Sequence, residues 1–537
     1  MFPVIRKIMR GRVLHNSLNG RFTVAGLNLS EHGRRDACRP CMTDGGTGES
    51  YDDAISQNDS NYWTASENSA SNAWRVNFST GNVNNSNSNN NKYNGNVVRA
   101  VAAYGELFFF FYLSILEAYK DCLRNKSTSA QAVQYLLIAN EDLVCLAVEL
   151  WSGTYKPGTS TCFLVKYPKL REVFAAHFRD RIVHHWICMR LNPLFEERIT
   201  SQGNVSFNCR KGFGTDAAID HVVSGMERLS DHYNTPAWVF HGDLVGFFMS
   251  IDKDLLWYLL ERFINRWHKR YLREGWIRLE KELLDRLGMS SMPEMYWDIL
   301  LRTTKAIVMH HPEKDCILNS PAVWWLGLAP NKSLFTSPTG EPIGNLTTQL
   351  FANFLMSFFV AYVLYLFRRQ KFDMAQFVDD FILICNNLRF LIDSVPKFEA
   401  FLRKLKLTLH KDKQYLQPVS HGLMFVGTYI KPGRLYLSNR TRARFEERCL
   451  GFRKMLETKP VITVLDIQRI EQVINSYLGF CKGRQTYRLR RSCIESMGPL
   501  FWKYFYVRGS FRSIRARKAC RQVELPFSSH IDFSLAA

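Results

Sequence analysis

AQFVDDFILICNN, from Ala375 to Asn387, sets two adjacent carboxylates inside an otherwise apolar run. Phe377 and Val378 precede Asp379 and Asp380; Phe381, Ile382, Leu383 and Ile384 follow. Burying an ionised carboxylate without a partner costs on the order of several kcal/mol. The two short β-prone runs with a polar pair between them predict a hairpin with the aspartates at its tip. There the carboxylates can leave the core while their aromatic flanks stay in it. Either solvent or something positive must then meet them.

An isolated Asp-Asp pair reads as a solvated acidic turn, but three other stretches change that reading. Asp243 in HGDLVGFFMSID follows an apolar strand (Trp238, Val239, Phe240) and precedes a second aromatic pair. The glycine-containing IGNLTTQ, Ile343 to Gln349, stands at the mouth of a helix between the two acidic sites. LTLHKDKQYLQPVSHGLMFVGTYI, Leu407 to Ile430, is a basic turn leading into a strand pair.

The bulk numbers frame these motifs. The chain has 537 residues, of which 46% are hydrophobic and 13% aromatic, so most of it should fold around a large core. A formal charge of +21 and a pI near 9.4 favour a polyanionic partner, nucleic acid before membrane. Thirteen cysteines lie scattered without a framework, which suits a reducing cytoplasm better than secretion. The lone C-x-x-C, Cys38 to Cys41, has no second pair to complete a metal site. MFPVIRKIMRGR is basic without a long apolar core behind it, so no secretory signal is expected. LFANFLMSFFVAYVLYLF (Leu350–Phe367) approaches the ~20 residues of a membrane span. It contains Asn353 and Ser357 and stands alone, and it reads as a buried core helix, with no membrane partner expected.

Taken in order, the four motif stretches resemble the palm of a reverse transcriptase, whose acidic motif usually reads aromatic-x-Asp-Asp. The resemblance runs from about Ala103 to Arg521, roughly four fifths of the chain. PKLREVFAAHFRDRIVHHW, CRKGFGT, NKSLFTSPTGEPIGNLTTQLFANF, FVDDF and INSYLGF…TYRLRR look most like reverse transcriptases of diversity-generating retroelements, relatives of the group II intron enzymes. Thr348 stands where Ser is usual before Gln349, which keeps the hydroxyl.

The resemblance implies a right-hand α/β (α+β) polymerase fold: fingers over 104–235, a palm with an antiparallel core sheet over 236–435, a helical thumb over 436–522 and a tail over 523–537. It implies RNA-directed DNA synthesis, copying a template-repeat RNA into cDNA with adenine-directed errors that diversify a target gene. Asp243, Asp379 and Asp380, with the carbonyl of Leu244, would hold two Mg²⁺ ions, or Mn²⁺ in their place. Such ions want hard oxygen ligands and can activate a primer 3′-hydroxyl while stabilising the leaving pyrophosphate. Lys169 and Arg171 would grip the dNTP triphosphate. Phe248 would be the bulky gate against a ribose 2′-hydroxyl, with one more core aromatic as the plain alternative. Gly344 and Gln349 complete the nucleotide site. Lys413 would protonate the pyrophosphate, a role for which Lys411 is a nearby alternative. Phe425 and Gly427 would form the primer grip. Most relatives carry Gln at the position of Ile343; an apolar residue there cannot discriminate through hydrogen bonds. The partners implied are template RNA, the RNA–DNA hybrid, dNTPs and a small basic accessory-protein oligomer. The alternatives are a reverse transcriptase of retron, intron or phage-defence type, or a catalytically silent RNA-binding scaffold.

Residues 1–103 differ in kind. Nine Asn occupy the fifteen positions from Asn82 to Asn96, a composition that cannot bury enough surface to fold alone. Tyr62–Val101 looks like the variable end of a C-type-lectin-like target protein. It is either a genuine fusion or a template repeat translated from a start placed too far upstream.

Overall fold

The computed structural model describes residues 96–518, except 125–128, 167–168, 276–277 and 330–331, together with three strands upstream. Cys38, Cys41, residues 1–60 and the tail over 523–537 lie outside the described residues. The strands in chain order are β1 (Asn61–Glu67), β2 (Asn72–Asn77), β3 (Val83–Asn87), β4 (Ser160–Val165), β5 (Arg171–Ala175), β6 (Trp238–Gly242) and β7 (Cys316–Leu318). They continue with β8 (Phe372–Phe377), β9 (Asp380–Cys385), β10 (Tyr415–Pro418), β11 (Leu423–Phe425), β12 (Thr428–Lys431), β13 (Arg434–Leu437), β14 (Phe505–Arg508) and β15 (Ser513–Ala516). Helices make up most of the remainder, so the chain mixes helix and sheet.

Two units divide the chain, one from 1–198 and 246–355, the other from 199–245 and 356–537. In the first unit β1, β2 and β3 form an antiparallel meander, where the composition predicted no structure. Its following helix starts at Asn96, earlier than the globular composition begins. A second sheet has the order β5-β4-β7, with β4 antiparallel to β5 and parallel to β7. Two consecutive helices follow, Ala130–Leu136 and Ala139–Ser152, and Ile138 takes the N-cap position of the second. The packing of this unit is aromatic: Phe111 meets Trp151, Trp186 and Tyr296 at ring centroid distances of 5.4, 5.7 and 6.0 Å. Arg190 and Glu280 form an ion pair with side chains 1% and 3% exposed.

The second unit is built on an antiparallel sheet of order β10-β6-β9-β8. β9 reads DFILIC, and five of its six residues are buried, as befits a strand covered on both faces. Side chains alternate along a strand, so Ile382 and Ile384 share one face and Phe381 and Leu383 the other. On the first face they join Val239 and Ala375 against Ala218, Ile219, Val222 and Met226 of the helix Thr215–Leu229. On the second, Phe381 meets Phe240 and Phe359, and Phe398 of the helix Leu388–Lys404 packs on all three. Phe359 belongs to the helix Leu346–Phe367, the one helix among the described residues long and apolar enough to cross a membrane; 61% of that stretch is buried inside the protein. The region after Pro432, read as helical, also holds β13 and the β14–β15 hairpin. Phe505 and Ile514 of that hairpin enter an apolar cluster with Ile470, Ile474 and Phe501.

Candidate active site

β8 and β9 are joined by a two-residue turn, Val378 and Asp379, with Phe377 paired to Asp380. The aspartates therefore stand at a hairpin tip, Asp379 in the turn and Asp380 opening β9. Val378 takes φ 59°, a left-handed backbone that is strained for a β-branched residue. Strain of this kind persists only where the surroundings over-determine the turn, here two fully paired strands.

β6 lies on the other side of β9, with Gly242 opposite Phe381. A Cβ on Gly242 would run into the Phe381 ring, so the two strands approach this closely only because residue 242 is glycine. One step beyond that pair, the antiparallel register sets Asp243 opposite Asp380. Asp243 is 5% exposed and Asp380 half-buried. Two carboxylates far apart in the chain thus share one face of the sheet, with Asp379 next to them.

The other edge of β6 supplies a cation. Lys413 forms an ion pair with Asp243 Oδ2. His241, two residues before Asp243 and so on the same face, places Nε2 3.6 Å from Asp380 Oδ1. Its Nδ1 lies 3.2 Å from the Lys413 carbonyl, and its ring stacks on Tyr415 at 4.9 Å. His241 was not singled out in the sequence, although the i, i+2 spacing in a strand is the signal that finds it. Beyond β6, His410 N–H donates to the Asp243 carbonyl (2.8 Å) and Val245 N–H to the Thr408 carbonyl (2.9 Å). Leu244, just past the end of β6, bridges to Leu409 between those two bonds.

Among the described residues no group of three or more His, Cys, Asp or Glu side chains converges as an ion-binding cluster. The site offers a facing pair, Asp243 and Asp380, with Asp379 next to Asp380 in the turn. These are all hard oxygen donors. Mg²⁺ keeps several waters and draws on substrate phosphates, so a few carboxylates suffice and the residues present fit it.

Within the same unit, Phe425 ends β11 and Gly427 closes the turn into β12; Phe425 is buried under the helix-covered face of the sheet. Lys411 and Lys413 lie on one short 3-10 turn, and only Lys413 is paired with Asp243.

The remaining sequence-predicted residues lie in the first unit and are gathered around β5. Arg171 opens β5 and is exposed, and Lys169 is exposed just before it. Phe174 N–H, on the same strand, donates to the Ile343 carbonyl (2.8 Å). Gly344 takes φ 127°, and a Cβ there would sit 2.5 Å from the Phe174 carbonyl oxygen, so only glycine lets this loop lie against β5. Ile343 is half-buried against Phe174, Met249 and Leu334 rather than presented outward. Gln349 is exposed in the first turn of the helix Leu346–Phe367. Phe248 is half-buried, its ring 5.3 Å from Phe247, and its carbonyl accepts from Glu341 N–H at 2.8 Å.

No protein-family model matches the chain, and no curated protein matches it. Solved structures do. Apo telomerase from Candida tropicalis aligns at 12% identity and TM-score 0.36, covering 65% of this chain and 63% of that one. The form truncated from its C-terminal domain aligns at 13% and 0.36, covering 52% and 55%. Telomerase from Candida albicans, in complex with the TWJ fragment of telomeric RNA, aligns at 10% and 0.34, covering 66% and 60%. The chain spans less than two thirds of each of these proteins, and no family assignment follows from likenesses this loose.

Proposed function

We propose that the chain is an RNA-directed DNA polymerase that copies a template-repeat RNA into cDNA with errors directed to adenine. The observation that carries the reading is the register of β6 against β9. Continued one step past Gly242 and Phe381, it sets Asp243 opposite Asp380, which Asp379 precedes in the hairpin turn. Phosphoryl transfer asks a protein for positioning and charge neutralisation more than for covalent chemistry, which facing carboxylates would supply once they hold a cation. Asp243, Asp379, Asp380 and Leu244 would hold Mg²⁺, which when bound lowers the pKa of a primer hydroxyl and screens the triphosphate.

The chain's own groups do the rest. Lys413, whose ammonium pairs with the Asp243 carboxylate, would pass a proton to the leaving pyrophosphate. His241 steadies that arrangement from the same face through Asp380 and the Lys413 carbonyl. Lys169 and Arg171, exposed at the head of β5, would hold the triphosphate, and Phe248, with its backbone fixed by Glu341, would exclude the 2′-hydroxyl. Gly344 and Gln349 would border the nucleotide. Phe425 and Gly427 would seat the primer end. Diversification of a target gene, and a small basic accessory-protein oligomer as partner, belong to the same reading.

Primer extension on an RNA template with dNTPs and Mg²⁺ tests it. The wild-type chain should extend, and Asp379→Ala should lose at least about a thousandfold in rate, the scale of removing a charge-stabilising group from a phosphoryl-transfer site. Equal extension by both proteins, or none by a folded wild type, would sink the reading. The cDNA should carry errors opposite template adenine, and Ile343→Gln should lower them. Because Ile343 packs on an apolar cluster, that variant must be compared at a temperature where it remains folded.

A further inference from the structure

The loop after the helix Val464–Phe480 buries a full positive charge. The Arg484 side chain is 2% exposed, yet its guanidinium is satisfied on three sides. Nε donates to the Thr428 hydroxyl (2.9 Å), Nη1 to the carbonyls of Phe480 (2.6 Å) and Lys482 (2.9 Å), and Nη2 to Asp216 Oδ1 (3.1 Å). Its plane also lies 4.5 Å from the centroid of the Phe480 ring. A planar fork with five donors can meet acceptors in several directions at once, which an ammonium cannot.

What this charge grips is the base of one turn. Val426 and Gly427 join β11 to β12 with φ 39° and 79°, both left-handed, and the first of them is β-branched. Such a turn needs outside constraint to persist. Thr428 is the next residue and is fully buried. A Cβ on Gly427 would stand 3.2 Å from the Phe480 ring, the ring that Arg484 covers. The Gly427 carbonyl accepts from Ser438 N–H at 3.1 Å. Gln485 holds the other arm of the hairpin. Its N–H donates to the Leu435 carbonyl (3.0 Å), and its Oε1 accepts from Leu435 N–H (2.7 Å), so it acts as a one-residue strand beside β13.

We propose that Arg484 and Gln485 form a clasp of positioning residues that fixes the strained Val426–Gly427 turn, and with it the 3′ end of the primer, for nucleotide addition. The proposal rests on the polymerase reading and deepens it. The Arg484 side chain is buried, so it acts through the turn it holds rather than on nucleic acid. Loosening it therefore leaves duplex binding intact and misplaces the attacking hydroxyl.

The test compares wild type with Thr428→Val, which removes one hydroxyl without changing shape, and with Arg484→Lys, which keeps the charge and loses the fork. An exposed arginine, Arg389→Gln, serves as control. Single-turnover addition of the first nucleotide should slow ten- to a hundredfold in both clasp variants. Template–primer affinity should stay within threefold, and the control should match wild type. Unchanged rates in folded Thr428→Val, or a loss confined to affinity, would overturn the clasp. If Arg484→Lys fails to fold, Thr428→Val still decides. A folded wild type that extends no primer defeats the polymerase reading itself and the clasp with it, an outcome distinct from variants that extend as well as wild type.

Discussion

Glu341 shows how a single side chain can carry information that motif reading passes over. It sits two residues before Ile343, is 2% exposed, and its Oε1 is buried without a hydrogen-bond partner. Burial pushes its carboxyl up to about 8 from an ordinary 4.5, against the opposing pull of the Lys253 ammonium. The folded state therefore binds a proton that the unfolded chain releases, and stability falls as pH rises between about 4.5 and about 8. Glu341→Gln keeps the shape and removes the titration. At pH 8 it should resist denaturant better than wild type by on the order of a few kcal/mol, because linkage is worth about 1.4 kcal/mol per pH unit between the two pKa values. The two proteins should converge toward pH 5. Parallel curves at both pH values would show that this carboxyl is not held neutral by the fold. The aspartates at 243, 379 and 380 were legible as a set because acidic residues flanked by apolar strands stand out. Glu341 was not, because a lone Glu in a proline- and glycine-containing loop reads as surface. Arg484 escaped for the same reason, hidden among the many cations of KGRQTYRLRR.

At the scale of elements, hydrophobic pattern gave β6, β8 and β9 and the core character of the helix Leu346–Phe367. It could not give that helix a register, because a helix apolar on all sides has no preferred face. The structure supplies one at Phe359, whose ring lies 4.9 Å from Phe381 and 5.9 Å from Phe398. Phe381 is the residue that abuts Gly242, so this aromatic layer sets the β6–β9 contact and, one residue on, the pairing of Asp243 with Asp380. Phe359→Ala should cost about 3–5 kcal/mol in equilibrium unfolding, as for other buried aromatics truncated to Ala. A loss below about 1 kcal/mol would mean the layer collapses around the gap and does not fix the strands. The β14–β15 hairpin went unread because its strands are short and sit among basic helix-prone sequence. The break after Leu136 has no signal in Leu137–Ile138, neither Gly nor Pro, and shows only in the two separate helices.

For the whole molecule, sequence alone establishes the sign of the field and structure establishes what is spent internally. Of the 70 Lys and Arg against 49 Asp and Glu, several of the most buried cations are consumed inside the fold: Arg190 by Glu280, Arg179 by Asp142 and Glu149, Arg484 by Asp216 and three further acceptors. The net +21 is thus carried outward by cations that the core does not need. Each of the two units is assembled from two separate stretches of chain, which depends on long-range pairing that no local pattern encodes. Charge, by contrast, needs no topology to act. On the proposed reading the chain tracks a duplex through its phosphates and releases counterions on binding, so its affinity should fall steeply with salt. Between 50 and 200 mM salt, the affinity for an RNA–DNA hybrid should drop on the order of a hundredfold or more, with little dependence on sequence. Anisotropy titrations on two hybrids of unrelated sequence measure this directly. A flat salt response would place the excess charge elsewhere than on nucleic acid, and a strong preference between the two hybrids would mean that base edges, not phosphates, are being read.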